Sequence, residues 1–260
     1  MIPHHPGSVI VHFGTTRVLC VCTVEERVPP HRLNSGGGWM TAEYSMLPAA
    51  THDRKQRDIS RGKQDARSVE IQRLIGRALR NVVDIDVIGQ RTLTVDCDVI
   101  VADGGTRTAS ITGAFVAVAL CVNTLFKKKP NMKAKTLRDV LSGQVAAVSL
   151  GILEGEVWTD LNYAEDVRAE TDFNLVARDD GTLVEVQGTA EGDPMTRDQL
   201  LAIIDQGTVA IRTLCAKQRE ALAGIWTCSP CCSPPRTPSR ARSSLSLRTA
   251  TSSSVRSPTS

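Results

Sequence analysis

Residues 94–121 change character abruptly at Asp103-Gly104-Gly105, and that break limits what the chain can fold into. Before it, Val95, Cys97 and Val99 alternate with Thr94, Asp96 and Asp98, and Ile100 and Val101 close the run, as in a buried strand. After it, the apolar run from Ala114 to Val122 is dense enough for a core helix, with Thr106 and Thr108 placed where an N-cap belongs. A Gly-Gly turn at this junction frees backbone N–H groups to point at an anion, and the helix dipole adds roughly half a positive charge there. Arg107 in the first turn is unfavourable for the dipole alone, so it points to an anion held jointly by the guanidinium and the amides. The bland alternative is a solvated arginine beside an ordinary glycine turn.

The rest of the chain builds on either side of this unit. Residues 8–13 and 17–24 read as an antiparallel hairpin, and residues 39–47 return to an extended pattern after a Pro- and Gly-rich loop. Residues 51–64 hold five cations and one large apolar residue, Ile59, so they read as a mobile polar loop. Asp65 is placed to cap a helix running to about residue 84, with Val69, Leu74, Ile75, Ala78, Leu79, Val82 and Val83 on its apolar face. Arg67 lies in the first turn of that helix, the same geometric position as Arg107, and two such helix starts can face one anion. Residues 145–152 with 156–161, and 171–177 with 182–187, read as two further hairpins before a long amphipathic helix over 196–223. This order suggests two similar strand and helix units in one α+β domain.

Aromatic residues make up only 3% of the chain, so any platform for stacking nucleobases must be built from few side chains. No stretch reaches eighteen apolar residues and no basic-then-apolar leader opens the sequence, which predicts a cytoplasmic protein without a membrane span. Cys20, Cys22, Cys97, Cys121 and Cys215 lie in apolar runs and read as core thiols. Residues 225–260 are dominated by Pro, Ser, Thr and Arg, and are expected to form a disordered tail behind a catalytic domain spanning 1–224. Cys228, Cys231 and Cys232 within it lack a second metal-ligand pair, so disorder is the better reading than zinc binding. Five arginines and no acidic residue follow Gly224, so the tail carries the net charge of +3. Anion or nucleic-acid binding by the body must come from local arginine clusters.

The acidic run 160–172 contains Asp160, Glu165, Asp166, Glu170 and Asp172. Two carboxylates six residues apart in this run, flanking a strand start, suit a hard cation such as magnesium, which takes one or two protein carboxylates and completes its shell with waters and substrate phosphates, although an acidic loop by itself is more often simply solvated. Joined to an arginine and amide pocket, they describe phosphoryl transfer, in which a cation and arginines neutralise charge around phosphorus.

Several motifs in order carry a family resemblance: Trp39-Met-Thr-Ala-Glu-Tyr-Ser-Met-Leu-Pro48, the helix from Arg67 to Arg80, Asp96-Cys-Asp-Val-Ile100, Asp103-Gly-Gly-Thr-Arg-Thr-Ala-Ser-Ile-Thr-Gly113, Asp160-Leu-Asn-Tyr-Ala-Glu-Asp166 and Glu185-Val-Gln-Gly-Thr189. Together they resemble ribonuclease PH. The resemblance implies the ribosomal protein S5 domain 2-like α+β fold with two similar units (the RNase PH fold), and a homohexamer assembled as a trimer of dimers. The implied activity is phosphate-dependent 3′–5′ trimming of tRNA precursors with release of nucleoside diphosphates, reversible as a tRNA nucleotidyltransferase. By the same resemblance Arg67, Gly105, Thr106 and Arg107 bind inorganic phosphate, Asp166 and Asp172 bind Mg2+, and Arg54 and Arg57 contact tRNA. The sequence departs from the family in lacking the N-terminal segment that supplies a first strand, in carrying Ala49 where a third loop arginine is expected, and in its tail.

Phosphate is already ionised near neutral pH, so the reaction needs no general base, and His31 and His52 read as solvated loop residues. Two other functions remain open: a catalytically inactive RNA-binding ring subunit of exosome type, and a metal-dependent hydrolase that uses water in place of phosphate.

Overall fold

A computed structural model of the chain describes residues 2–128, 134, 136–226 and 245–248. Strands β1 (Ser8–Phe13) and β2 (Thr16–Glu25) form the opening hairpin, with Phe13 paired to Thr16 across the turn. Strand β3 (Trp39–Met46) leads through the single turn α1 (Asp58–Arg61) into helix α2 (Ala66–Arg80), which returns the chain to β4 (Thr92–Val101). That return makes β3 parallel to β4, in a sheet of order β3-β4-β2-β1-β9, with β9 spanning Leu245–Arg248, whose other neighbours are antiparallel. Parallel neighbours need a crossover, and the apolar stripe of α2 is what covers it.

Helix α3 (Thr106–Lys128) follows, then the short α4 (Leu137–Val140). The second unit holds β5 (Val145–Leu153), β6 (Glu156–Thr159), the single turn α5 (Tyr163–Asp166), β7 (Thr171–Arg178), β8 (Leu183–Ala190) and helix α6 (Arg197–Ala221). Its sheet, of order β6-β5-β7-β8, is antiparallel throughout. Helix α3 packs on β1 and β2 from one sheet and on β5 from the other, so it lies between them, with α2 and α6 beside it. It is long and apolar enough to cross a membrane, yet residues Ala114 to Ala119 are fully buried against the two sheets, the packing of a core helix. Gln218 of α6 is also fully buried and donates to the carbonyls of Thr112 in α3 and Val145 in β5, which ties α6 to both with its amide group satisfied.

The alternation read in residues 94–99 is the one observed: Val95, Cys97 and Val99 are buried and Thr94, Asp96 and Asp98 lie on the half-exposed face of β4. The five cysteines Cys20, Cys22, Cys97, Cys121 and Cys215 are buried and unoxidised. Three local expectations are corrected. Helix α2 ends at Arg80, before Val82 and Val83, because the N–H groups of Asp84 and Ser142 bond to the carbonyls of Val140 and Val82 instead of continuing the helix. Asp65 sits at the cap position of α2 without capping it, since its carboxylate is taken by Lys55 at 3.0 Å and Arg61 at 3.8 Å. Helix α3 begins at Thr106 itself, and Thr108 donates to the carbonyl of Gly105, so neither threonine acts as the expected side-chain cap.

Two described segments lie beyond residue 224. Ile225 packs on the core, and Trp226 is buried edge-on against Phe115 at 5.7 Å, with the Arg138 guanidinium 4.1 Å over its ring. A little further on, Leu245–Arg248 forms strand β9, antiparallel to β1, where its backbone satisfies the open edge of the first sheet. Apart from 225–226 and 245–248, the tail expected to be disordered lies outside the described residues. The zinc reading at Cys228, Cys231 and Cys232 lies outside the described residues. Trp226→Leu removes the ring contact and the cation–π contact, together about 1–2 kcal/mol. A melting temperature lower by about 3–6 °C is the expected result of thermal unfolding, and an unchanged value would show that the ring does not dock.

Candidate active site

The turn that links β4 to α3 is fixed before any ligand arrives. Thr16, fully buried in β2, receives the N–H of Asp103 and donates to the carbonyl of Gly104, both at 2.8 Å. Gly104 and Gly105 both have positive φ, +76° and +57°. At Gly104 a side chain is excluded on space as well, because its first carbon would lie 2.2 Å from the carbonyl oxygen of Leu161. The first-turn N–H groups of α3 have no intrahelical acceptor, and they emerge at this turn.

Tyr44 of β3 holds the helix start from below. Its hydroxyl lies 2.8 Å from Thr106 Oγ1 in a buried contact, and burial pushes the phenol up to about 12, so it stays neutral. The positive fields of Arg67 and Arg107 both reach this phenol, which brings the starts of α2 and α3 to one place. Arg107 is only 13% exposed and is held by Gln187 Oε1 at 3.3 Å and Glu70 at 3.7 Å. Gln187 donates in turn to Glu185, which grips Arg77 of α2 through two bonds of 2.6 and 2.7 Å. The Glu185-Val-Gln motif of β8 thus joins the second unit to the first around Arg107. Arg67 is exposed and makes no side-chain hydrogen bond or ion pair among the described residues.

The carboxylates arrive from the other side. Asp166, at the end of α5, is raised above the usual carboxylate range, first by burial and then by the negative charge of Asp172, while Arg67 and Arg107 draw it down. Asp172 Oδ1 accepts a bond from Asn174 Nδ2 at 3.1 Å, which fixes its direction on β7. Arg67, Arg107, Asp166 and Asp172 therefore lie around one place, beside the Gly105-Thr106 turn. Among the described residues no group of three or more His, Cys, Asp or Glu forms a metal cluster. The facing pair Asp166 and Asp172 nevertheless offers only hard oxygen donors, and their mutual repulsion is relieved by a cation, so the pair fits magnesium.

Arg54 and Arg57 are exposed in the loop before α1. Lys55 between them is committed to Asp65, which pins the loop to the start of α2. Tyr44, Ser149, Asn174, Glu185 and Gln187 were not singled out by role from the sequence, although all but Ser149 and Asn174 lie in the quoted motifs. Ser149 Oγ is buried without a hydrogen-bond partner among the described residues, 3.3 Å from where a side chain on Gly105 would begin.

The 3′ exoribonuclease family matches the chain in both of its parts, domain 1 over residues 1–122 and domain 2 over residues 143–210. The chain belongs to this family. Solved structures share its fold. The Archaeoglobus fulgidus exosome with RNA bound to the active site is 18% identical, with a TM-score of 0.68 over 84% of this chain and 85% of the other. Rice (Oryza sativa) Rrp46 is 18% identical, with a TM-score of 0.62 over 80% of this chain and 84% of the other. An archaeal exosome core is 17% identical, with a TM-score of 0.63 over 84% and 83%. The two strand and helix units are thus those of the RNase PH fold, and the family's first domain supplies both arginines while the second supplies both aspartates.

Asp160, behind Gly105, has positive φ and a carboxyl raised from 3.8 to about 6, chiefly by burial and then by Glu165. The folded value lies above the unfolded one, so this group favours the folded state at low pH, and that contribution is lost as pH rises through about 6. Asp160→Asn keeps the shape, and asparagine tolerates positive φ. The variant is expected to melt above the parent at pH 8, with the difference vanishing near pH 4. A gain independent of pH would show that the charge is not the cause.

Proposed function

We propose that the chain is a phosphate-dependent 3′–5′ exoribonuclease that trims tRNA precursors and works in reverse as a nucleotidyltransferase. The observation that carries this reading is that Arg67 and Arg107, from two separate helix starts, both act on Asp166 and Tyr44 beside the Gly105-Thr106 amides. Inorganic phosphate, held by Arg67, Arg107 and these amides, forms a bond to the phosphorus of the last phosphodiester. The bond from that phosphorus to the preceding O3′ breaks, and O3′ leaves with a proton as the new RNA end, releasing a nucleoside diphosphate. The arginines neutralise the attacking anion and orient it in line, which is most of what phosphoryl transfer needs. A magnesium ion on Asp166 and Asp172 would supply further positive charge at the non-bridging oxygens. Arg54 and Arg57 contact the body of the RNA, and the working assembly is a homohexamer.

A second reading is supported by the likeness to exosome subunits, which suits an RNA-binding ring component without turnover at least as well as tRNA trimming. The test is RNA shortening by the purified chain with magnesium, with and without phosphate. Phosphate-dependent release of nucleoside diphosphates supports the first reading. RNA binding without release supports the second, and phosphate-independent release of monophosphates overturns both.

A further inference from the structure

The chain has few aromatic residues, and the fold uses nearly all of them for packing. Phe13, Tyr44, Phe115, Phe173 and Trp226 are buried, Phe126 is partly buried against the core, and Trp39 is covered by the His31 ring and the Arg80 guanidinium. The two that remain exposed, Trp158 at 41% and Tyr163 at 54%, lie on β6 and α5, the segment that leads into Asp166. Tyr163 is the more exposed of the two, and its backbone is fixed on both sides. Its N–H donates to Asp103 Oδ1 at 3.1 Å, and the preceding Asn162 forms a reciprocal capping box with Glu165. The Leu161-Asn162 backbone packs directly on Gly104. An exposed ring on a rigid turn is therefore joined by one hydrogen bond to the residue that opens the anion turn.

His52, from the cationic loop that carries Arg54 and Arg57, has its ring centroid 6.0 Å from that of Tyr163 at a tilt of 52°. The loop expected to grip the body of the RNA thus meets the segment that carries the carboxylates at two rings. We infer that Tyr163, flanked by His52, is a stacking platform for a nucleobase at the single-stranded 3′ end of the RNA, setting that end against the anion pocket. The inference rests on the proposed function for its substrate. Every base offers a π face, so such a platform holds any 3′ end without reading its identity, as an enzyme that shortens RNA one nucleotide at a time requires. Because the backbone is already ordered, little further entropy is lost when the base stacks.

The experiment measures binding of a short labelled single-stranded RNA without phosphate, then phosphorolysis of the same RNA. In Tyr163→Ala the dissociation constant and the KM for RNA are expected to rise about 5–50-fold, with half-saturating phosphate and melting temperature unchanged. Tyr163→Phe keeps the ring and should stay within about twofold of the parent. RNA with abasic residues at its 3′ end should bind the parent and Tyr163→Ala alike. Unchanged RNA binding in Tyr163→Ala, or equal losses in the Ala and Phe variants, would overturn the platform. A parent that binds RNA through Tyr163 but releases no diphosphate would support the platform while refuting the catalytic reading.

Discussion

Asp166→Asn and Asp172→Asn are each expected to abolish nucleoside diphosphate release, with turnover falling by about three orders of magnitude or more, while RNA binding is retained. Asp166 is raised first by burial and then by the charge of Asp172, and drawn down by the two arginines, so each substitution removes half of the negative charge that would hold a magnesium ion against the reacting phosphate. Neither carboxylate is needed for packing: Asp166 lies at the surface, and among the described residues the side-chain bond to Asp172 comes from Asn174. Excess magnesium should restore activity only in part. Filter binding and product release measured on the same preparations decide the matter, and parallel loss of both would assign the pair a structural role.

Arg107→Ala and Arg67→Ala should each lower kcat/KM for phosphate by about 10²–10³-fold, or about 3–4 kcal/mol, because each removes a positioned guanidinium that would neutralise the attacking phosphate. The two variants should differ in their side effects. Arg67 is exposed, so its removal should leave the melting temperature unchanged. Arg107 is the group on which Gln187 and Glu70 meet, and its loss also loosens the contact between α3 and β8. Arg107→Lys should recover little, since an ammonium cannot reproduce the fork that spans an anion and Gln187. Full activity of either Ala variant at limiting phosphate would show that the anion binds elsewhere.

The local features of the site were legible. Strand, double-glycine turn and helix follow one another in residues 94–121, and an arginine in the first turn of each of two helices points to the proposed anion pocket without any structure. Asp65 shows where such reading fails. As a type and a position it is a helix cap, but Lys55 and Arg61 compete for the same carboxylate, and two cations outweigh a backbone amide. His52 reads as a solvated loop residue and is exposed, but no local pattern foretells that the fold sets it beside Tyr163. Trp226 stands at the head of a Ser- and Pro-rich segment whose composition hides one large apolar side chain that belongs to the core.

By itself, then, the sequence determined the periodicities, the turn at Gly104-Gly105, the alternation along β4 and the residue types that suit a phosphate and a hard cation, because all of these depend on neighbours a few positions away. Only the tertiary structure decided which groups meet. Tyr44 and Thr106 are 62 residues apart, Arg107 and Gln187 are 80 apart, and Arg77 and Glu185 are 108 apart. Such pairs depend on strand register and on the packing of α2 and α3 between the two sheets, and no local spacing encodes them. The physical reason is that a side chain's partner is set by the whole core at once, whereas its backbone conformation is set largely by its own short stretch of chain.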